Sequence, residues 1–124
     1  PASVPRTMAG QKEANHGYLK PRSRLEEDAI RSFLDAHPAW RVESGSLERE
    51  YTFGTYSEGI AFAVQIAMLA EKRDHHPDLV IGYRVVTVRW VTHDAGGLTD
   101  LDRLLAHLCD DIAALYVRST KAGS

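Results

Sequence analysis

The sequence predicts a single α+β domain: a four-stranded antiparallel sheet with helices on one face, in the order α-β-β-α-β-β-α. Three observations point to it. Apolar residues recur at helical spacing in three separate stretches, pairs of short alternating segments lie between them, and turns marked by glycine or proline divide the members. The length of 124 residues suits one domain, for which about 100–150 residues is the commonest size, and 44% hydrophobic residues suffice for one core.

The elements can be justified in order. Ser23 and Glu26 have capping-box spacing, in which each side chain satisfies an orphan backbone N–H at a helix start. Leu25, Ala29, Ile30, Phe33 and Leu34 continue that helix, and His37-Pro38 ends it, because proline disfavours helical geometry in the residue before it. Residues 40–43 and 47–53 read as a hairpin around Ser44-Gly45-Ser46, with Leu47, Arg49, Tyr51 and Phe53 on one side. Glu48, Glu50 and Thr52 take the other side. A second capping box, Thr55 with Glu58, opens a helix that runs to Asp74. Ile60, Ala63, Val64, Ala67 and Met68 form its stripe, and Phe62, Ile66, Leu69 and Ala70 widen it, so it is expected to lie centrally on the sheet. Residues 79–81 and 85–93 read as a second hairpin, bent around Gly82. Val86, Val88 and Trp90 face one way, and Val85, Thr87, Arg89, Val91 and His93 face a more polar side. After Gly96-Gly97, Thr99 with Asp102 caps a third helix whose stripe is Leu101, Leu104, Leu105, Leu108, Ile112 and Leu115.

Charge is uneven. Of 15 basic and 17 acidic residues, five basic and one acidic fall in residues 1–24, leaving an acidic body of 10 and 16. An acidic body argues against direct nucleic-acid binding. Residues 1–22, rich in proline and glycine without an apolar period, are expected to be a flexible basic tail, residues 23–118 the domain, and residues 119–124 a flexible C-terminus. No apolar run approaches the roughly 20 residues of a membrane span, and no secretory signal is visible, so a cytoplasmic protein without membrane contact is expected. The single cysteine, Cys109, suits a reducing compartment.

The chemistry gathers around "DHHPD", residues 74–78. His75 and His76 follow a helix end, Pro77 stiffens the turn that carries them, and His93 lies at a strand tip before the glycine pair. The three can converge at one rim of the sheet. Imidazole titrates near neutrality, which suits proton transfer. Two other readings stand beside this one. The histidines can simply line a polar rim, or, with Asp74, Asp94 or Asp102, form a zinc site; adjacent histidines point different ways, and helical His-x-x-x-His spacing is absent. Asp102 alone is explained as a near-capping box. Glu71, a negative charge in a last helical turn, is slightly misplaced against the helix dipole and so favours a specific partner such as an imidazolium.

These same residues carry a resemblance. Glu71, His75, His76, Pro77, Tyr83, Thr92, His93, Gly97, Leu98 and Asp102 fill, without a gap, a pattern that resembles the signature of the pterin-4a-carbinolamine dehydratase family. The likeness covers residues 23–118. It departs at Leu79, where family members often have tryptophan, and at Gly54-Thr55, which replaces a common Lys-Asp pair. The resemblance implies the same α+β fold and dehydration of 4a-hydroxytetrahydropterin to quinonoid dihydropterin, with no metal or organic cofactor. It implies His75, His76, His93 and Asp102 as catalytic, with His75 and His93 the principal proton-transfer groups, and Glu71, Asp74, Pro77, Thr92 and Asp94 as further pterin-contacting residues. It also implies a homodimer or homotetramer. The competing implication is non-enzymatic, since members of the family also act as dimerisation partners of a homeodomain transcription factor or assist Rubisco assembly.

Overall fold

The computed structural model describes residues 23–122; the basic tail expected over residues 1–22 lies outside them. Helix α1 (Glu27–Ala36) precedes β1 (Arg41–Glu43) and β2 (Ser46–Thr52). Helix α2 (Tyr56–Arg73), β3 (Asp78–Gly82), β4 (Val85–Trp90) and helix α3 (Asp100–Ala122) complete the order. The four strands pair antiparallel in the order β1-β2-β4-β3. This is the α+β fold, with its element order, that the alternating patterns predict.

One face of the sheet, carrying Leu47, Tyr51, Val86, Val88 and Trp90, is buried beneath the helices. Phe62 and Ile66 of α2 and Leu105, Ala106 and Cys109 of α3 fill the layer above it. Phe62 meets Tyr51 and Phe53 at ring distances of 4.8 and 5.0 Å, favourable aromatic spacings. Asp110 of α3 ties the layers together by accepting from the Trp40 indole, the Arg49 guanidinium and the Tyr51 hydroxyl. Burial and the neighbouring carboxylate raise the Tyr51 phenol far above its ordinary pKa, so it stays a donor.

The opposite face is polar. Registry sets Arg41, Glu48, Arg89 and Asp78 in a row across all four strands. Glu48 is only 4% exposed because Arg41 and Arg89 cover it, and the Arg89 bond in particular holds its carboxyl below the usual range.

Several local expectations change. The Ser23–Glu26 capping box does not form: Glu26 is the N-cap without a side-chain bond. Residues Arg24 and Leu25 instead run beside Leu98 and Thr99, with the Leu25 N–H donating to the Leu98 carbonyl at 2.8 Å. The Thr55–Glu58 box does form, although Glu58 returns its bond to Gly54 rather than Thr55. The second hairpin turns at Tyr83-Arg84, not at Gly82, which still pairs with Val85. Arg84 takes φ 64°, held there by two hydrogen bonds with the Phe53 backbone. Strand β4 stops at Trp90, earlier than expected, since Thr92 turns away to pair with Gly97. Helix α2 buries Gly59, Phe62, Ala63, Ile66 and Ala70. Val64 and Met68, expected in its stripe, face outward, Met68 being 66% exposed. Leu115 of α3 is likewise 55% exposed. A helix lying on one sheet covers a single face, so the remaining apolar residues of a wide stripe are left outside.

Candidate active site

The site is built where α2 ends. Asp74 takes left-handed geometry (φ 52°, ψ 44°), a conformation in which aspartate is tolerated better than most residues. Its N–H donates to the Glu71 carbonyl, and that of His75 reaches back to the Ala70 carbonyl at 3.1 Å, closing a Schellman motif. The chain thereby reverses before Pro77, and the two histidines part company.

His75 goes inward. It is buried, its ring lies parallel to the Trp90 indole at 5.7 Å (9° between planes), and its Nε2 meets Asp102 Oδ1 at 2.7 Å. Asp102, in the first turn of α3, is fully buried and is held by its other oxygen. Oδ2 accepts from the Thr92 hydroxyl (2.8 Å) and the Thr99 N–H (2.9 Å), and the two threonine hydroxyls lie 2.8 Å apart. A carboxylate gripped from three sides cannot swing, so it fixes both the position of the His75 ring and which nitrogen remains available.

His76 goes outward. It is exposed, and its Nε2 meets Glu71 Oε1 at 2.8 Å across the last turn of α2. His93 opens the 3₁₀ turn His93–Ala95 that follows Thr92, and Gly96 (φ 76°) closes that turn. Its ring is exposed and makes no hydrogen bond among the described residues.

A cleft of about 250 Å³ lies between these groups, lined by Asp74, His75, His76, Val91, Thr92, His93 and Asp94. Of the sequence-predicted residues, Glu71 and Asp102 stand behind the cleft, each backing a different histidine. Pro77 is half-buried in the turn. The Thr92 hydroxyl is engaged by Asp102 and Thr99. Trp90, Thr99 and Val91 went unsuspected as parts of the site. Trp90 and Thr99 carried only core and cap signals, and no feature of the sequence marked Val91. Among the described residues no group of three or more His, Cys, Asp or Glu side chains is arranged to hold a metal ion.

A small α+β domain with a histidine-lined cleft, one imidazole locked by a buried carboxylate and another free at the rim, defines a class of protein suited to acid–base chemistry on a compact ligand. The particular family follows from comparison with known proteins. The family described as "Pterin 4 alpha carbinolamine dehydratase" matches residues 23–112, and the chain belongs to it. A protein of Natronomonas pharaonis, provisionally named a pterin-4-alpha-carbinolamine dehydratase, is 43% identical over 90 residues, 73% of this chain and 96% of its own. A Synechococcus protein with the same provisional name is 45% identical over 88 residues, 71% of this chain and 95% of its own. Among solved structures, a transcriptional coactivator/pterin dehydratase from Brucella melitensis superposes with a TM-score of 0.69 at 33% identity, covering 73% of this chain and 99% of that one. A pterin dehydratase-like protein identified as a RuBisCO assembly factor in the alpha-carboxysome gives a TM-score of 0.52 at 26% identity, over 60% of this chain and 89% of that one.

Proposed function

We propose that this protein dehydrates 4a-hydroxytetrahydropterin to quinonoid dihydropterin and water, as a step in recycling the reduced pterin used by aromatic hydroxylases. The observation that carries the reading is the meeting of His75, His76 and His93 around one cleft, with Asp102 holding Nε2 of His75 and so leaving Nδ1 for proton transfer. The reaction needs little more. The lone pair of ring nitrogen 5 expels the hydroxyl on carbon 4a, an acid protonates that hydroxyl so that it leaves as water, and a base takes a proton from the ring. Well-placed acid–base groups contribute on the order of 100- to 10,000-fold each. His75 and His93 are the proton-transfer pair, and His76, braced by Glu71, holds the ring and assists. Asp74, Asp94 and the backbone at Thr92 border the ligand. Stopped-flow measurement of dehydration of freshly generated 4a-hydroxytetrahydropterin tests this directly: a rate no faster than the spontaneous one removes the assignment.

The protein also self-associates in this reading, as a homodimer or a dimer of dimers in the cytoplasm. The support is surface left bare by a single chain: Val64 and Met68 on α2, Val80 and Ile81 on β3, which is an open sheet edge, and Tyr83 in the turn that follows it. Light scattering at micromolar concentration that returns the 13.8 kDa monomer contradicts it. A purely assembly-related role is supported by the likeness to the RuBisCO assembly factor, but the fully equipped histidine cleft favours the dehydratase.

A further inference from the structure

Trp90 stands behind the cleft rather than in its wall. It is the last residue of β4, fully buried and paired in register with Leu47. Its indole lies parallel to the His75 imidazole, with ring centroids 5.7 Å apart and 9° between planes. We propose that Trp90 is a positioning residue for His75: the indole fixes the plane of the imidazole, and with it the direction in which Nδ1 opens into the cleft. The proposal rests on the dehydratase reading above, in which that nitrogen transfers a proton.

Asp102 leaves one freedom of the ring unsettled. An imidazole turns about its Cβ–Cγ bond. Nε2 sits on the far side of the ring, and its hydrogen bond points more nearly along that axis than across it. The 2.7 Å contact with Asp102 Oδ1 therefore anchors the ring and selects its tautomer, yet tolerates some turning. The lone pair on Nδ1 points across the axis and swings by nearly the full angle of any turn. Histidine χ2 is intrinsically broad. Productive geometry, by contrast, has to be held within about 10–20°. A second constraint must act on the face of the ring, and among the described residues the ring stacked on His75 is that of Trp90.

An indole is also more than the core needs at this position. Val86 and Val88 occupy the same side of β4 and are equally buried without adding a polar atom. Trp90 brings an N–H into that layer. Its Nε1 has beside it only the Cys109 sulfur, a weak acceptor, and no nitrogen or oxygen partner among the described residues. Buried indoles usually pair this group, so the part of the side chain put to use is its flat face. Parallel rings offset at this spacing attract one another. The chain also places the shelf beside the clamp: two residues beyond Trp90, the Thr92 hydroxyl donates to Asp102 at 2.8 Å. One short stretch thus controls both the plane and the anchor of His75.

The test compares the wild type with Trp90→Met, which fills space without offering a plane, and Trp90→Phe, which restores one. NMR relaxation of the His75 Cδ2–H bond reports ring order, ¹⁵N shifts report the tautomer, and stopped-flow dehydration gives kcat and KM. The order parameter should be about 0.85 in the wild type, fall below about 0.6 in the methionine variant and recover with phenylalanine. The tautomer should be the same in all three, because Asp102 sets it. In the methionine variant kcat should fall at least about 10-fold with KM within about twofold, and phenylalanine should recover most of the loss. Trp90→Leu serves the same comparison should the methionine variant not fold. A His75 ring that stays ordered in a folded methionine or leucine variant overturns the proposal. So does a mobile ring in the wild type, a result that needs no variant. Order lost with methionine and recovered with phenylalanine in a protein without dehydratase activity supports the positioning and removes the dehydratase reading alone.

Discussion

Replacing Asp102 by asparagine separates what this carboxylate does for the fold from the role proposed for it in the chemistry. In the native protein it is fully buried and accepts from the Thr92 hydroxyl, the Thr99 N–H and His75 Nε2. Alanine would strand all of these donors, and breaking such a buried pair costs about 3–5 kcal/mol, a large share of a typical 5–15 kcal/mol stability. That variant confounds unfolding with lost activity. Asparagine keeps the shape. Its carbonyl can still accept from Thr92 and Thr99, but its NH₂ then faces His75 Nε2 and demands an acceptor there. The imidazole proton must move to Nδ1, the nitrogen left for the cleft, which inverts the proton-transfer role proposed for it. The expected cost in stability is about 1–2 kcal/mol, a melting-point drop of roughly 4–16 °C for a domain of this size. The expected loss in kcat is about 100-fold or more. Thermal unfolding and stopped-flow dehydration measure the two effects, and ¹⁵N chemical shifts of His75 report the tautomer. A folded variant with the tautomer reversed and kcat within twofold of wild type would refute the reasoning.

Three further outcomes are expected. His93→Ala should lower kcat at least about 10-fold without changing the melting temperature, because its ring is exposed, whereas His76→Ala should act more on KM; the reverse pattern in steady-state kinetics would exchange their roles. Burial pushes the Cys109 thiol up to about 12, so iodoacetamide at pH 8 should label it only after denaturation, and rapid labelling of native protein contradicts the packing of α3 on the sheet. Glu48 has a lowered pKa when folded, so the stability it contributes is present above the ordinary glutamate value of about 4.3 and is lost as pH falls through the folded value. The melting temperatures of wild type and Glu48→Gln should therefore differ at pH 7 and converge towards pH 2, and a constant gap would assign the effect elsewhere.

The parts of the fold that the sequence reveals are those set by local period. Alternation put Val86, Val88 and Trp90 on one side of β4, and all three are fully buried. Helical spacing found all three helices. The misses come where two local rules compete or where tertiary contact decides. Ser23 and Glu26 have the spacing of a cap, but pairing of Arg24 and Leu25 with the Leu98–Thr99 segment holds the backbone extended, so the helix begins later. The stripe on α2 was correctly seen as wide, yet width alone does not say which part meets the sheet. The packing selects Phe62 and Ile66 and leaves Val64 and Met68 outside.

The site shows the same division more sharply. Two adjacent histidines are chemically identical in the sequence, and nothing in "DHHPD" says which one is held by a buried carboxylate. The distinction arises from Asp74. Its left-handed backbone ends α2 in a reversal that turns His75 toward Trp90 and α3, while His76 remains level with Glu71, five residues earlier on the exposed side. Glu71 was suspected because a negative charge at a helix end wants a cation, a local rule. Asp102 gave no comparable signal, because the same carboxylate that orients His75 also serves Thr99 as a helix-start acceptor. One oxygen answers the local rule, and the other reaches 27 residues back along the sequence to His75. A residue satisfied locally by one atom and over long range by another looks ordinary until the chain is folded. This double engagement makes Asp102 immobile: the bonds that begin α3 hold the His75 imidazole in register with the cleft.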